Sequence, residues 1–157
     1  MTVGCDRVTK HLAMTALSGE PTRSFLADTV RLEYAENTGG FLSLGANLQP
    51  TARVAIFKVG TELVLAVGLI AALVLRPTGW QLAGISLALA GGASNLVDRV
   101  LHGRVIDFLN VGVGNLRTGI FNIADVAILL GVCILIIVGN GNPNRSAGGR
   151  SGNRHYL

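Results

Sequence analysis

Three stretches about as long as a bilayer is thick, each nearly free of charge, dominate this chain. Residues 54–75 (VAIFKVGTELVLAVGLIAALVL) carry only Lys58 and Glu62, residues 77–97 carry no charge, and residues 120–139 carry only Asp125. A helix needs roughly 20 apolar residues to cross the hydrocarbon layer, so each stretch has the length to span it. The break at residues 76–79 (RPTG) is short, which makes the first two an antiparallel pair. Half of the residues are hydrophobic (50%) and 14% are charged, against roughly 25% charged in a soluble domain. So few charges do not coat a water-facing surface. The expected fold is mostly α, a polytopic membrane helical bundle forming one domain over residues 1–139. Lys58 and Glu62, four residues apart, are expected to pair near the interface with the lysine snorkelling.

The remaining segments are polar or short. Residues 8–17 read as helical, but only five residues precede Asp6 and no signal-peptide h-region is visible, so a truncated first helix is expected. In residues 18–53, Val30, Leu32 and Tyr34 alternate with Arg31, Glu33 and Ala35, the period-two pattern of a strand. Asn37-Thr38-Gly39-Gly40 breaks it as a turn, and a second short strand is expected at 41–44. Residues 98–119 read as a second polar connection, and the Gly/Asn/Arg-rich residues 140–157 as a disordered tail.

Basic residues orient the spans. The tail holds Arg145, Arg150 and Arg154 without an acid, and the short loop holds Arg76. Both are expected to face the cytoplasm. Three crossings then place the 18–53 element and the 98–119 connection together on the outer face. The net charge of +4 is otherwise scattered, which argues against a nucleic-acid surface. Cys5 and Cys133 form no CxxC, and Cys133, within an apolar run, is expected to be buried and inert. His11, His102 and His155 lack metal-ligand spacing and are expected at surfaces.

Ionisable residues beside membrane spans are costly and usually functional. Asn95, Asp98 and Arg99 fall at i, i+3 and i+4, just after Gly91-Gly92-Ala93, small residues that let another helix approach closely. Asp98 and Arg99 alone could be the solvated end of a span. Asp107 is a lone carboxylate between Val105, Ile106, Phe108 and Leu109. Asp125 lies three residues after Asn122, on the same helical face, and alone could be an N-terminal cap. No Ser-His or Cys-His pair accompanies them. Two carboxylates sharing a low-dielectric site hold one proton between them and can activate water.

Five ordered blocks resemble the lipoprotein signal peptidases (signal peptidase II): residues 6–10 (DRVTK), 36–44 (ENTGGFLSL), 91–99 (GGASNLVDR), 105–108 (VIDF) and 121–127 (FNIADVA). The resemblance covers most of the chain and implies a four-helix bundle with a small extracytoplasmic β-cradle. It implies an aspartic endopeptidase whose catalytic pair is Asp107 and Asp125. Asn37, Asn95, Asp98, Arg99 and Asn122 would support or contact substrate, with Asp6 and Lys10 in the surrounding shell. The implied substrate is a diacylglyceryl-modified prolipoprotein, cut before its lipidated cysteine. No cofactor, metal or nucleic acid is implied; the other contact is membrane lipid, and the chain is expected to be a monomer. It would be a multi-pass protein of the bacterial cytoplasmic (inner) membrane, with the site towards the outer face. Departures from the family are the shortened first helix and Gly40 and Leu42 around Phe41, where alanine and phenylalanine are usual. A non-catalytic relative that holds lipidated peptide remains the alternative. A transporter is disfavoured because both acids lie at one face.

Overall fold

The computed structural model describes residues 2–38, 49–53, 56 and 59–140. In chain order these form α1 (Thr2–Leu17), β1 (Arg23–Phe25), β2 (Val30–Asn37), the short α2 (Pro50–Arg53), α3 (Gly60–Leu75), α4 (Gly79–His102), β3 (Val105–Val113), β4 (Leu116–Arg117) and α5 (Ile123–Asn140). The strands make one antiparallel sheet in the order β1-β2-β3-β4. The fold is thus mostly helical, with a small sheet, as expected. The expected strand at 41–44, Lys58 of the expected Lys58–Glu62 pair, His155 and the tail beyond Asn140 lie outside the described residues.

This fold is polar inside and apolar outside. Its buried residues include Asp6, Lys10, Asn37, Ser94, Asn95, Asp98, Asp107, Asn110, Asn122 and Asp125. The apolar core is small: Ala13 and Leu17 of α1 against Ile106 and Phe108 of β3, with Leu32, Tyr34, Leu109 and Ile123 packed around them. Helix α3 buries none of its residues, and Val64, Val74 and Leu75 are each more than 70% exposed. Patches of that kind are a liability in water and suit hydrocarbon. By length and apolarity α5 is able to cross a membrane; α3 is similarly apolar over its 16 described residues. Helix α4, at 24 residues, is about 36 Å long at 1.5 Å per residue.

Small residues bring α4 and α5 together. A Cβ on Gly84 would lie 2.9 Å from the Gly131 carbonyl oxygen, and one on Gly91 would overlap the Ala124 carbonyl oxygen. Gly84 and Gly91 are two helical turns apart, as are Ala124 and Gly131, so the two backbones touch at two levels. On the adjoining face, a Cβ on Gly92 would come 2.7 Å from Leu65 Cδ2 of α3. The glycine pair thus receives two different neighbours.

The structure corrects several sequence expectations. The first helix begins at Thr2 rather than near Val8. Helix α4 runs five residues past Val97, to a left-handed Gly103 cap with φ 70°. Asp98 therefore lies inside the helix and is buried, not at a solvated end. Residues 98–119 are no simple polar connection: the β-branched and aromatic run between Gly103 and Gly114 forms β3, the strand next to β2. Two positive-φ glycines delimit it, the punctuation a strand requires. Cys133 is exposed on α5 rather than buried. An apolar run facing lipid looks the same in sequence as one facing a core.

Candidate active site

The two aspartates arrive on different elements and share one amide. Asp107 sits in β3 opposite Ala35, two positions along the ladder from the Asn37–Val105 pair. Phe121 forms an antiparallel bridge to Leu109, its carbonyl oxygen accepting the Phe108 and Leu109 N–H groups at 3.0 and 2.9 Å. The chain after Phe121 therefore runs back along β3 and delivers Asn122 beside Asp107. Asn122 Nδ2 donates to Asp107 Oδ1 at 2.6 Å, and Asn37 Nδ2 donates to Asp107 Oδ2 at 2.8 Å.

Asp125 is set by the first turn of α5. The Asp125 N–H donates to Asn122 Oδ1 at 3.0 Å, and the Asn122 N–H donates to Asp125 Oδ2 at 3.2 Å. This is a reciprocal capping box with aspartate in the third helical position. Asn95 Nδ2, from α4, donates to Asp125 Oδ1 at 2.9 Å. Asn95 reaches it because Gly91, one turn earlier, lets α4 lie against Ala124. The simple cap reading of Asp125 is geometrically true and incomplete, since its second oxygen serves the neighbouring helix.

Among the described residues, the hydrogen-bond donors given to both carboxylates are neutral amides. Burial pushes the Asp107 carboxyl up to about 6. The hydrogen bond from Asn37 opposes that rise, the charge of Asp125 adds to it, and Asn122 and Lys10 oppose it. Water with room between two such groups would meet a base and an acid at once.

A compact ion cluster braces this pair from behind. Lys10 Nζ donates to Asn95 Oδ1 at 2.8 Å and to Asp98 Oδ2 at 2.7 Å, and forms an ion pair with Asp6 Oδ2 at 2.7 Å. Asp6 also accepts from Ser94 Oγ at 2.7 Å and from the Ala124 N–H at 2.9 Å, placing a carboxylate at the positive end of α5. Asp98 is further paired with Arg7. Helix α1 is thus tied to both α4 and α5 through buried charges.

A profile of the family described as "Signal peptidase (SPase) II" matches residues 1–139. The chain belongs to the signal peptidase II family. Among curated relatives named "Lipoprotein signal peptidase", one from Chlorobium phaeobacteroides (strain BS1) is 38% identical, with 84% of this chain and 86% of the relative covered. Another, from Pelodictyon phaeoclathratiforme, is 33% identical, with 89% and 86% covered. Two solved structures, each described as a bacterial membrane enzyme, share the fold. One has a TM-score of 0.74 at 22% identity, covering 98% of this chain and 90% of that one. The other has a TM-score of 0.72 at 26% identity, covering 90% and 88%. This signal peptidase II family member is accordingly a peptidase-family membrane protein.

Of the residues singled out from sequence, Asp6, Lys10, Asn37, Asn95, Asp98, Asp107, Asn122 and Asp125 form one connected network of hydrogen bonds and ion pairs. Arg99 stands at its edge, with Nη1 3.5 Å from the Asn95 carbonyl oxygen. Asp6 and Lys10 are more central than a surrounding shell suggests, being 0% and 4% exposed. Sequence reasoning missed Ser94 and Arg7. Ser94 had a signal, since it precedes Asp98 by four residues and so shares its helical face. Arg7 had none, because its partner is 91 residues away.

Proposed function

We propose that this chain is an intramembrane aspartic endopeptidase that removes signal peptides from diacylglyceryl-modified prolipoproteins, cutting on the amino side of the lipidated cysteine. Asp107 and Asp125 are its catalytic pair. The observation that carries this reading is the pair itself: two buried carboxylates joined through Asn122 and held by Asn37 and Asn95. The ionised member takes a proton from water, and the protonated member hydrogen-bonds the scissile carbonyl oxygen. Water oxygen bonds to the carbonyl carbon as the protonated member passes its proton to the carbonyl oxygen, giving a tetrahedral gem-diol. That intermediate collapses as the C–N bond breaks and a carboxyl proton passes to the leaving amine.

The membrane supplies the rest of the reading. The bare exteriors of α3 and α5 face lipid, and the chain crosses the bacterial cytoplasmic membrane several times. The basic loop and tail lie inside, and the dyad and sheet lie towards the outer face. Substrate acyl chains remain among the helices while the peptide bond meets the pair near the surface. The protein acts as a monomer.

The test is cleavage of a lipidated precursor by the purified protein and by Asp107→Asn and Asp125→Asn. Each variant is expected to lose nearly all cleavage while still binding the precursor. Full activity in either one overturns the dyad. A wild-type chain that binds the precursor without cutting it would instead be a non-catalytic relative.

A further inference from the structure

On the other side of β3 from the dyad lies a second, cation-lined pocket of about 240 Å³, bordered by Arg7, Lys10, His11 and Met14 of α1, Asp98 and His102 of α4, and Arg104 and Ile106 around the start of β3. Ile106 borders it, so Asp107, the next residue along the strand, points to the opposite face. We propose that this pocket binds the phosphate group of a membrane phospholipid.

The lining sets the ligand class. Three cations and two imidazoles converge from three elements, against one lining carboxylate, Asp98, which is already paired with Lys10 and Arg7. Just beyond the wall, Asp6 pairs with Lys10, and Glu36 forms an ion pair with Arg104 Nη1 at 3.2 Å. These acids fix the cations in place and balance their charge. What the pocket then offers is directed N–H groups. A guanidinium carries five such donors in a planar fork that matches phosphate oxygens, and each imidazole adds at least one more. Arg7 and Arg104 both commit Nη1 to a carboxylate and leave 41% and 46% of the side chain exposed.

The surroundings set the source of the phosphate. Met14, 46% exposed, and Ile106 form the apolar side of the same lining. The pocket therefore has a polar floor and an apolar side, which suits a molecule with a phosphate head and hydrocarbon tails. Assigning it to an outer-leaflet lipid rests on the orientation proposed above. Its position also matters to the dyad. Lys10 borders the pocket, and through Asn95 it supports Asp125.

The experiment compares binding of short-chain phosphatidylglycerol and of inorganic phosphate to the purified full chain in detergent, by native mass spectrometry and lipid-dependent thermal shift. Wild type is expected to retain phosphatidylglycerol. His11→Gln and Arg104→Gln are expected to bind it at least tenfold more weakly, with lipid-free melting kept in His11→Gln, whose side chain makes no hydrogen bond or ion pair among the described residues. Equal retention of inorganic phosphate would keep the anion site and overturn the lipid as its source. Unchanged phosphatidylglycerol binding in both variants would overturn the site. Neither readout depends on cleavage, so a failed pocket and a failed peptidase assignment are separable.

Discussion

Asn122 and Asp125 cap one another across the first turn of α5, each side-chain oxygen accepting the other's backbone N–H at 3.0 and 3.2 Å. The same Asn122 amide reaches Asp107 at 2.6 Å. One helix start therefore fixes the spacing of both carboxylates, and folding the cap and assembling the site are one event.

Asn122→Ala tests that coupling. Loss of an N-cap costs about 1 kcal/mol, rising within about 1–3 kcal/mol where the N–H left without its acceptor is buried, as that of Asp125 is. Thermal unfolding in detergent is expected to show this loss. Activity on a lipidated precursor is expected to fall well beyond what the lost folded fraction explains. Wild-type cleavage rates in this variant would mean that the cap does not position the pair.

The raised Asp107 pKa carries a sign for stability. The folded chain takes up this proton at about 6, whereas an unperturbed aspartate does so near 3.9. Between those values the folded state binds more protons, so stability falls as pH rises from about 4 to about 6 and then levels off. With Asp107 fully buried, two pKa units correspond to on the order of 3 kcal/mol. Unfolding at a series of pH values measures it, and a flat profile across that window contradicts it.

The same group shapes the rate profile. Asp125 already repels its ionised form, so the value near 6 marks loss of the pair's last proton. The kcat/KM profile is expected to fall on its alkaline side from about that pH. Asn37→Ala removes the donor that opposes the rise. Its alkaline limb is expected to move to higher pH, with a lower maximum. A shift to lower pH would reverse the assigned role of Asn37.

Gly91→Ala places a methyl group against the Ala124 carbonyl oxygen and 2.9 Å from Ile128 Cγ1. The helices must part, at a cost of about 1–3 kcal/mol for overpacking. Asn95 moves away from Asp125 with them, so kcat is expected to drop along with melting temperature. Gly79→Ala lies far from that contact and serves as the comparison for backbone strain alone, at φ 57° with nothing near its Cβ.

Lys10→Met leaves Asp6 and Asp98 buried without their shared ammonium. Breaking a buried ion pair from one side costs about 3–5 kcal/mol, and Arg7, still bonded to Asp98, keeps the loss towards the lower figure. Detergent-solubilised protein is expected to unfold at markedly lower temperature, and Lys10→Arg to recover only part of it. Unchanged melting in the methionine variant would show that the cluster is not holding α1.

The sequence determined what depends on neighbours along the chain. The apolar stretches, the alternation at Val30–Ala35 and the stranded acids are local patterns, and they pointed to the helical class, most of β2 and the candidate residues. Tertiary structure decided the partners. It showed that Asp98 lies inside α4 against Lys10, that residues 105–113 form the strand carrying Asp107, and that Cys133 faces outward. The reason is separation: Lys10 meets Asn95 across 85 residues, and Ala124 meets Asp6 across 118. No periodicity encodes a contact of that range. It follows from how closely Gly84 and Gly91 let α4 approach α5, and from a buried carboxylate needing every donor it can reach.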